Sequence, residues 1–139
     1  MKLPSTMVRK LVIAAARARA KAYAPYSKFS VGAAVLTRSG KVFTGCNVEN
    51  ASYGATICAE RTAITKAVSE GQKHIVAIAV VCDTPEPVAP CGVCRQVIHE
   101  FGSDAVVIMA NLSGECVTAT MPELLPRAFG GEALKHSHR

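Results

Sequence analysis

The sequence lacks any run of 18 apolar residues, the length that a membrane-spanning helix requires. It also lacks a signal-peptide cleavage pattern near the N-terminus, where basic residues interrupt a short apolar stretch. These absences predict a cytoplasmic protein with no membrane partner. In that reducing compartment the six cysteines are expected to be free thiols and not disulfides.

Acidic residues are missing from the first 48 positions, which carry nine lysines and arginines. Such a basic half can indicate a polyanion partner. Lys10, Arg17 and Lys21, however, form one stripe of a predicted helix, opposite its apolar side. Aromatic residues make up only 5% of the chain, and none is interleaved with these cations to stack on bases. The basic stripe is therefore interpreted as a solvated face, and no nucleic-acid partner is expected. Arg19, on the apolar side, has no explanation.

Half of the 139 residues are hydrophobic, which excludes a disordered chain. A chain of this length is expected to form a single domain, residues 1–139, around one core. The last stretch, "GGEALKHSHR" at 130–139, is expected to be a loose tail.

Hydrophobic periodicity and turn residues predict four helices and five strands. The helices are expected at 6–23, 58–70, 91–101 and within 120–129, and the strands at 28–37, 41–49, 74–82, 104–111 and 114–120. Ser5 is expected to cap the first helix, while Thr120 with Glu123 fits a capping box for the last. Buried strands that alternate with helices predict an α/β fold: a three-layer α/β/α sandwich with a mixed five-stranded sheet. Helix N-termini should gather at one edge of that sheet, where ligands usually bind.

Three cysteines have the spacing of metal ligands. Cys91 and Cys94, in "PCGVCRQ", are three positions apart in the first turn of a helix and therefore face the same way. The helix dipole favours their thiolate forms, and thiolates bind zinc well. Cys58 opens another helix, in "TICAER", and can complete a set of three. The remaining cysteines lie in apolar strand-like stretches and are interpreted as core residues: Cys46, Cys82 and Cys116.

A fourth zinc ligand with convincing spacing is missing. Structural zinc sites normally have four protein ligands, and only the histidines are candidates. His99 lies five residues beyond Cys94, about 140° around the helix, so it faces elsewhere. The other histidines lie beyond the second helix or in the tail: His74, His136 and His138. Three protein ligands with an open position for water are typical of a catalytic zinc.

Two charged residues follow Cys58 closely. Glu60 is too near Cys58 to share its metal comfortably, but it can reach a water there and carry protons. Its alternative role is a first-turn acid that complements the helix dipole. Arg61, on the same face as Cys58, can donate to thiolate sulfurs and offset their negative charge. The alternative for Arg61 is an ordinary surface cation.

The combination of "CAE" with "PCGVC" matches the signature of zinc nucleobase deaminases. The chain resembles the short, homotetrameric cytidine deaminases over most of residues 22–129, through "AYAPYSKFSVGAA", "GCNVENASYG", "CAERTA", "PCGVCRQV" and "LLPRAF". This resemblance implies one Zn²⁺ per subunit, held by Cys58, Cys91 and Cys94. It also implies a small nucleoside as substrate and active sites shared between the subunits of a homotetramer.

The resemblance further implies a role for each remaining site residue. Asn47 and Glu49 would bind the ribose hydroxyls, Phe29 would pack on the pyrimidine, Tyr53 and the Ala59 backbone would line the pocket, and Phe129 would enter a neighbouring subunit's site. A zinc-activated water would attack C4 of cytosine, while Glu60 protonates N3 and then the leaving amine. Cytidine, and 2'-deoxycytidine, would thereby give uridine or deoxyuridine and ammonia, in pyrimidine salvage. From the residues alone, Phe29 looks like core, and Phe129 can equally seal the core of its own chain.

Three other functions remain open. A deaminase of another small cytosine compound, such as blasticidin S, would share the metal motif, although "NVENASY" favours a free nucleoside. An RNA- or DNA-editing deaminase would need a strand-binding surface, for which 139 residues leave little room. A non-catalytic zinc module that binds nucleic acid through the basic helix would need a fourth ligand, and none was found.

Overall fold

The computed structural model describes residues 2–135. Five strands form one sheet in the order β2-β1-β3-β4-β5. Their bounds are Val31–Thr37 (β1), Val42–Cys46 (β2), Ile75–Cys82 (β3), Val106–Asn111 (β4) and Cys116–Thr120 (β5). Strands β3 and β4 are parallel and every other neighbouring pair is antiparallel, so the mixed five-stranded sheet predicted from the sequence is confirmed.

Helices cover both faces of this sheet. They are Ser5–Arg19 (α1), Ala59–Ser69 (α2), Gly92–Phe101 (α3), Met121–Leu124 (α4) and Gly131–Lys135 (α5), with a short 3₁₀ helix at Tyr53–Ala55. Successive strand residues point to opposite faces. Ala34 and Leu36 accordingly pack with α1, whereas Ala33 and Val35 pack with α2, α3 and α4. The expected three-layer sandwich is confirmed.

The first helix differs from its prediction at both ends. Pro4 occupies the N-cap position and Ser5 lies inside the helix, so the predicted Ser5 cap is wrong. The helix ends at Arg19 and not near residue 23, because Tyr23 pairs with Val48 in an isolated bridge that draws the chain into an extended path. The structure also explains Arg19, whose Nε donates to the carbonyl oxygen of Ser30 at 3.1 Å.

In the C-terminal part of the chain, one prediction is confirmed and one interpretation is wrong. The predicted capping box of Thr120 and Glu123 is present at the start of α4. Cys116 is exposed on the edge strand β5, so its interpretation as a core residue is wrong, whereas Cys82 is buried and Cys46 is half-buried. The expected loose tail contains the exposed helix α5, and residues 136–139, with His136 and His138, lie outside the described residues.

None of the helices within residues 2–135 is long and apolar enough to cross a membrane.

A close approach between β2 and α2 sets the position of the second helix. A Cβ atom added to Gly45 would lie 2.5 Å from the backbone nitrogen of Ala63 and 2.8 Å from the carbonyl oxygen of Ala59. Only a residue without a side chain fits there. Gly45 therefore lets α2 pack directly on the edge of the sheet, which fixes where the N-terminus of α2 lies.

Candidate active site

The three predicted ligand cysteines meet where α2 and α3 begin. Cys58 is the N-cap residue of α2, Cys91 is the N-cap residue of α3, and Cys94 follows within the first turn of α3. Their sulfur atoms all lie within 4.8 Å of one another, and those of Cys58 and Cys91 are 3.9 Å apart. Sulfurs bound to one tetrahedral zinc at about 2.3 Å would be separated by roughly 3.8 Å. The donor type and the spacing therefore both fit zinc.

The charges and donors near the N-termini of α2 and α3 favour the thiolate form of Cys58. The pKa of the Cys58 thiol is lowered to about 5, first because the Cys94 thiol donates to it and further because Arg61 and Cys91 donate to it. Cys94 is the donor in that pair, so its own pKa is raised. Two helix N-termini point at the same place and add partial positive charge. The Cys58 thiol is therefore readily deprotonated to the thiolate, the form that binds a soft cation.

Glu60 lies in the first turn of α2 and is buried, with only 4% of its surface exposed. Burial raises the pKa of its carboxyl group to about 7, and the negative charge of Cys58 adds to the shift. A carboxyl group with a pKa near neutrality can both accept and donate a proton. Its burial beside the thiols disfavours the alternative role as a solvated first-turn acid.

Arg61 is turned toward the thiols. Its Nη2 donates to the sulfur of Cys58 at 3.7 Å and to the carbonyl oxygen of Thr56 at 3.1 Å. These two hydrogen bonds disfavour the alternative of an ordinary surface cation for Arg61. Within the described part of the chain, its Nε is buried and has no hydrogen-bond partner.

A pocket of about 290 Å³ opens beside the thiols. This volume lies at the lower end of the roughly 300–1,000 Å³ typical of small-molecule sites. Seven of the predicted site residues line it: Phe29, Asn47, Glu49, Cys58, Ala59, Glu60 and Cys91. A larger cavity, of about 770 Å³, lies at the other end of the strands, near Arg38 and His74, and none of the three thiols lines it.

Asn47 and Glu49 make hydrogen bonds that hold the pocket wall in place, and each retains free hydrogen-bonding positions. The Asn47 amide donates to the carbonyl of Phe29 at 2.8 Å and accepts from the Val31 amide at 2.9 Å. Glu49 accepts from the backbone amides of Tyr26 and Ser27 and from the Ser27 hydroxyl. An amide side chain has two donors and two lone pairs, and a carboxylate has about four acceptor positions. Each residue therefore keeps at least one position for a ligand.

Four predicted site residues do not line this pocket: Cys94 and Arg61, which lie at the thiol cluster, and Tyr53 and Phe129, which lie farther away. Tyr53 is 75% exposed and lines a separate, adjoining depression, where its ring lies 6.0 Å from that of Tyr26, so the structure does not bring it to the pocket wall. Phe129 is 58% exposed, which rules out the alternative that it seals its own core. Its backbone is held by a hydrogen bond from Gln96 Nε2 to its carbonyl oxygen at 2.8 Å.

Sequence reasoning missed several residues of this pocket. Ser27 is the most important of these, since its hydroxyl donates to Glu49 and accepts from the amide of Phe29. The "YSKF" stretch was part of the resemblance to the deaminases, but that resemblance assigned no role to Ser27. Val88 and Ala89, from the proline-rich loop before α3, form another apolar wall. No local pattern identifies them, because that loop reaches the pocket only through the crossover between β3 and β4.

Comparison with known proteins identifies relatives over nearly the whole chain. Residues 6–110 match the family model "Cytidine and deoxycytidylate deaminase zinc-binding region". A cytidine deaminase of Halalkalibacterium halodurans is 55% identical over 88% of this chain and 93% of its own, and one of Sporosarcina psychrophila is 50% identical over 94% and 96%. A crystal structure of cytidine deaminase from Burkholderia pseudomallei superposes with a TM-score of 0.85 at 52% identity, covering 87% of this chain and 98% of that one.

A blasticidin-S deaminase of Bacillus cereus is also similar, at 34% identity over 74% of this chain and 79% of its own. That identity is well below the values found for the two cytidine deaminases. The chain is therefore nearer to the enzymes that are named for cytidine.

Proposed function

Because the chain belongs to the cytidine and deoxycytidylate deaminase family and is a hydrolase that acts on cytidine, we propose that its 290 Å³ pocket converts cytidine to uridine and ammonia. 2'-Deoxycytidine is proposed as a second substrate. The observation that carries the proposal is the convergence of three thiols and a buried carboxyl group at one end of the pocket, with Asn47 and Glu49 at its wall.

The thiols of Cys58, Cys91 and Cys94 are proposed to hold one zinc ion in each subunit. When bound, zinc supplies the Lewis acidity that makes water a nucleophile at neutral pH. Arg61 supports the Cys58 sulfur by hydrogen bonding and offsets part of the charge of the three thiolates.

Glu60 is proposed to move protons during the reaction. Its carboxyl group lies at the thiol end of the pocket, where C4 of the base and its amine must be placed. It takes one proton from water and delivers it to N3 of the cytosine ring while the water oxygen bonds to C4. It then takes the second proton from that oxygen and gives it to the amine, so that the C4–N bond breaks and ammonia leaves. Because Glu60 is buried, few waters compete for that proton.

The remaining pocket residues orient the nucleoside. Phe29 is 43% exposed at the pocket and can cover one face of the pyrimidine ring. The free positions of Asn47 and Glu49 suit the two hydroxyl groups of a ribose. Asn47 is buried, and binding a hydroxyl group through a buried polar group gives strong discrimination, because a ligand without that hydroxyl leaves the group unpaired.

A homotetramer with shared active sites is proposed as the working assembly. Support comes from apolar side chains exposed beside the pocket. Tyr23, Val48 and Ile57 neighbour one another through two bridges, and each is more than 40% exposed. An exposed apolar cluster of this kind supports the proposal of a subunit interface at this face. The exposed ring of Phe129 would then enter a neighbouring subunit's pocket and complete it, and Tyr53 would line the same composite site.

A cytoplasmic location and a role in pyrimidine salvage are also proposed. The six free cysteines support the location, because the reducing conditions of the cytoplasm keep thiols from forming disulfides. The nucleoside-sized pocket supports the role.

Release of ammonia from cytidine by the zinc-loaded protein tests the proposed activity. Cytidine should be consumed in many turnovers, and free cytosine should be a much poorer substrate. Blasticidin S is the matched competitor. Faster turnover of blasticidin S than of cytidine would contradict the proposal, as would zinc binding without any ammonia release.

A further inference from the structure

Arg95 and Gln96 follow Cys94 directly in "PCGVCRQ", yet the proposed chemistry gives them no task. Neither residue lines the pocket beside the thiols. Both side chains nevertheless make short hydrogen bonds to backbone carbonyl groups far away in the sequence. Polar side chains that bind distant backbone act on the position of that backbone.

Arg95 connects the loop that delivers Cys91 to the C-terminal segment. Its Nε donates to the carbonyl oxygen of Pro90 at 2.8 Å, and its Nη1 donates to the carbonyl oxygen of Leu124 at 2.7 Å. Pro90 is fully buried and immediately precedes Cys91. One planar guanidinium group therefore binds two pieces of backbone at once, through donors held in a fixed geometry that a lysine does not provide.

Gln96 holds the same C-terminal segment at a second point, through its 2.8 Å bond to the carbonyl oxygen of Phe129. Between the two anchors the chain turns, and Arg127 adopts a left-handed conformation with φ of 54°. Anchoring the backbone at Phe129 leaves the ring free to project, in agreement with its 58% exposure.

A third residue of α3 supports this arrangement. His99 is three positions from Gln96 and four from Arg95, so its side chain neighbours both and lies between them around the helix. A Cβ atom added to Gly130 would lie 3.0 Å from Nε2 of His99, so the segment also packs closely against this side chain just after Phe129. The contacts therefore extend along this face of α3 from Leu124 to Gly130.

We propose that Arg95 and Gln96 are positioning residues that fasten segment 124–130 to the helix carrying Cys94, and thereby set where the Phe129 ring is presented to substrate. The proposal rests on the role given above to Phe129 in a shared site. Gln96 acts on substrate binding alone. Arg95 acts on both substrate binding and the metal loop, because it also holds Pro90.

The first test uses Gln96→Met, which keeps the side-chain length and removes the donor. Amide hydrogen exchange in peptides covering 125–131 should accelerate, and KM for cytidine should rise about 2- to 10-fold, the value of one neutral hydrogen bond. kcat and zinc content should stay unchanged. Gln96→Lys, which restores a donor, should recover most of the KM. Glu100→Gln, an exposed change on the same helix, is the control and should alter neither measurement.

A double-mutant cycle with Phe129→Ala separates positioning from general destabilisation. If Gln96 acts through Phe129, adding Gln96→Met to Phe129→Ala should not raise KM further. Additive effects would overturn the proposal, as would unchanged hydrogen exchange in Gln96→Met. The hydrogen-exchange measurement tests the anchoring of segment 124–130 independently of substrate binding. A Phe129→Ala variant with normal KM would therefore contradict the shared active site but not the anchoring.

The second test compares Arg95→Met with Gln96→Met. Only Arg95→Met should release zinc faster to a chromogenic chelator, because only Arg95 holds the carbonyl group before Cys91. Equal rates of zinc release from both variants would overturn the proposal that Arg95, unlike Gln96, also positions the loop that carries Cys91. Arg95→Lys should fall between wild type and Arg95→Met, since an ammonium group can serve only one of the two carbonyl groups well.

Discussion

The guanidinium group of Arg61 lies 3.7 Å from the sulfur of Cys58, one turn along helix α2. Replacing Arg61 with alanine should lower the affinity for zinc by about 10- to 100-fold, because the thiolate loses a donor that stabilises its charge. Competition with a chromogenic chelator measures this change. Arg9→Ala, an exposed change on α1, is the control and should bind zinc normally. Unaltered zinc affinity in Arg61→Ala would show that the contact does not support the metal.

Glu60→Gln should keep zinc and lose turnover. The amide has nearly the same shape but cannot carry protons. Because general acid–base catalysis typically contributes about 10²- to 10⁴-fold, kcat should fall by at least about 10²-fold. Metal analysis and ammonia release from the same sample measure both properties. Glu70→Gln, at the other end of α2, provides the control for a lost carboxylate. Near-normal turnover in Glu60→Gln would remove Glu60 from the mechanism.

Glu49→Gln should raise KM for cytidine by roughly 10- to 100-fold, the effect of losing a hydrogen bond to a charged group. The change should be smaller for free cytosine, which has no ribose. Steady-state kinetics with both substrates distinguish a ribose contact from a general loss of structure. Equal losses for both substrates would show that Glu49 acts only through the pocket wall.

The same carboxylate predicts a pH dependence of stability. Its pKa is lowered in the folded protein, mainly because the Ser27 hydroxyl and amide donate to the ionised form, with smaller effects from Tyr26 and Lys28. A group with a lowered folded pKa stabilises the protein above its unfolded value, about 4.3, and loses this contribution as the pH falls through the folded value. Urea unfolding should therefore show wild type to be more stable than Glu49→Gln at neutral pH, and the difference should vanish in acid. A stability difference between the two proteins that persists below both the folded and the unfolded pKa of Glu49 would show that it does not arise from ionisation of this carboxyl group.

Phe129→Ala should weaken substrate binding by about 1 kcal/mol or more and leave zinc in place, if its ring stacks near the base in a neighbouring subunit. Light scattering of the wild-type protein should give a tetramer. A fully active monomer would contradict the shared site. So would a Phe129→Ala protein that unfolds more easily and yet binds substrate normally.

Gly45→Ala should destabilise the fold by about 1–3 kcal/mol or more, because the new methyl group would collide with the backbone of α2 and must displace that helix. Gly54→Ala is the matched control, since a Cβ atom there meets no atom within 4 Å. Thermal or urea unfolding compares the two variants. Equal stabilities would mean that α2 adjusts freely and that Gly45 does not set its position.

Local sequence patterns determined much of the architecture and the chemistry. Five strands were recognisable because apolar runs are separated by turn residues, and the capping box of Thr120 and Glu123 is a purely local interaction. Cys91 and Cys94 were predicted to face the same way because three residues span nearly one helical turn. The catalytic character of the motif followed from its donor types and from the missing fourth ligand.

Tertiary structure alone decided which distant groups meet. Cys58 lies 33 positions before Cys91, and the two sulfurs come within 3.9 Å only because the chain crosses over from α2 through β3 to α3. The end of α1, the exposure of Cys116 on an edge strand and the separation of Tyr53 from the pocket depend in the same way on pairing between remote segments. Local periodicity records how each segment buries its own apolar face. It carries no information on which other segment will cover that face, and that pairing sets the distances within the site.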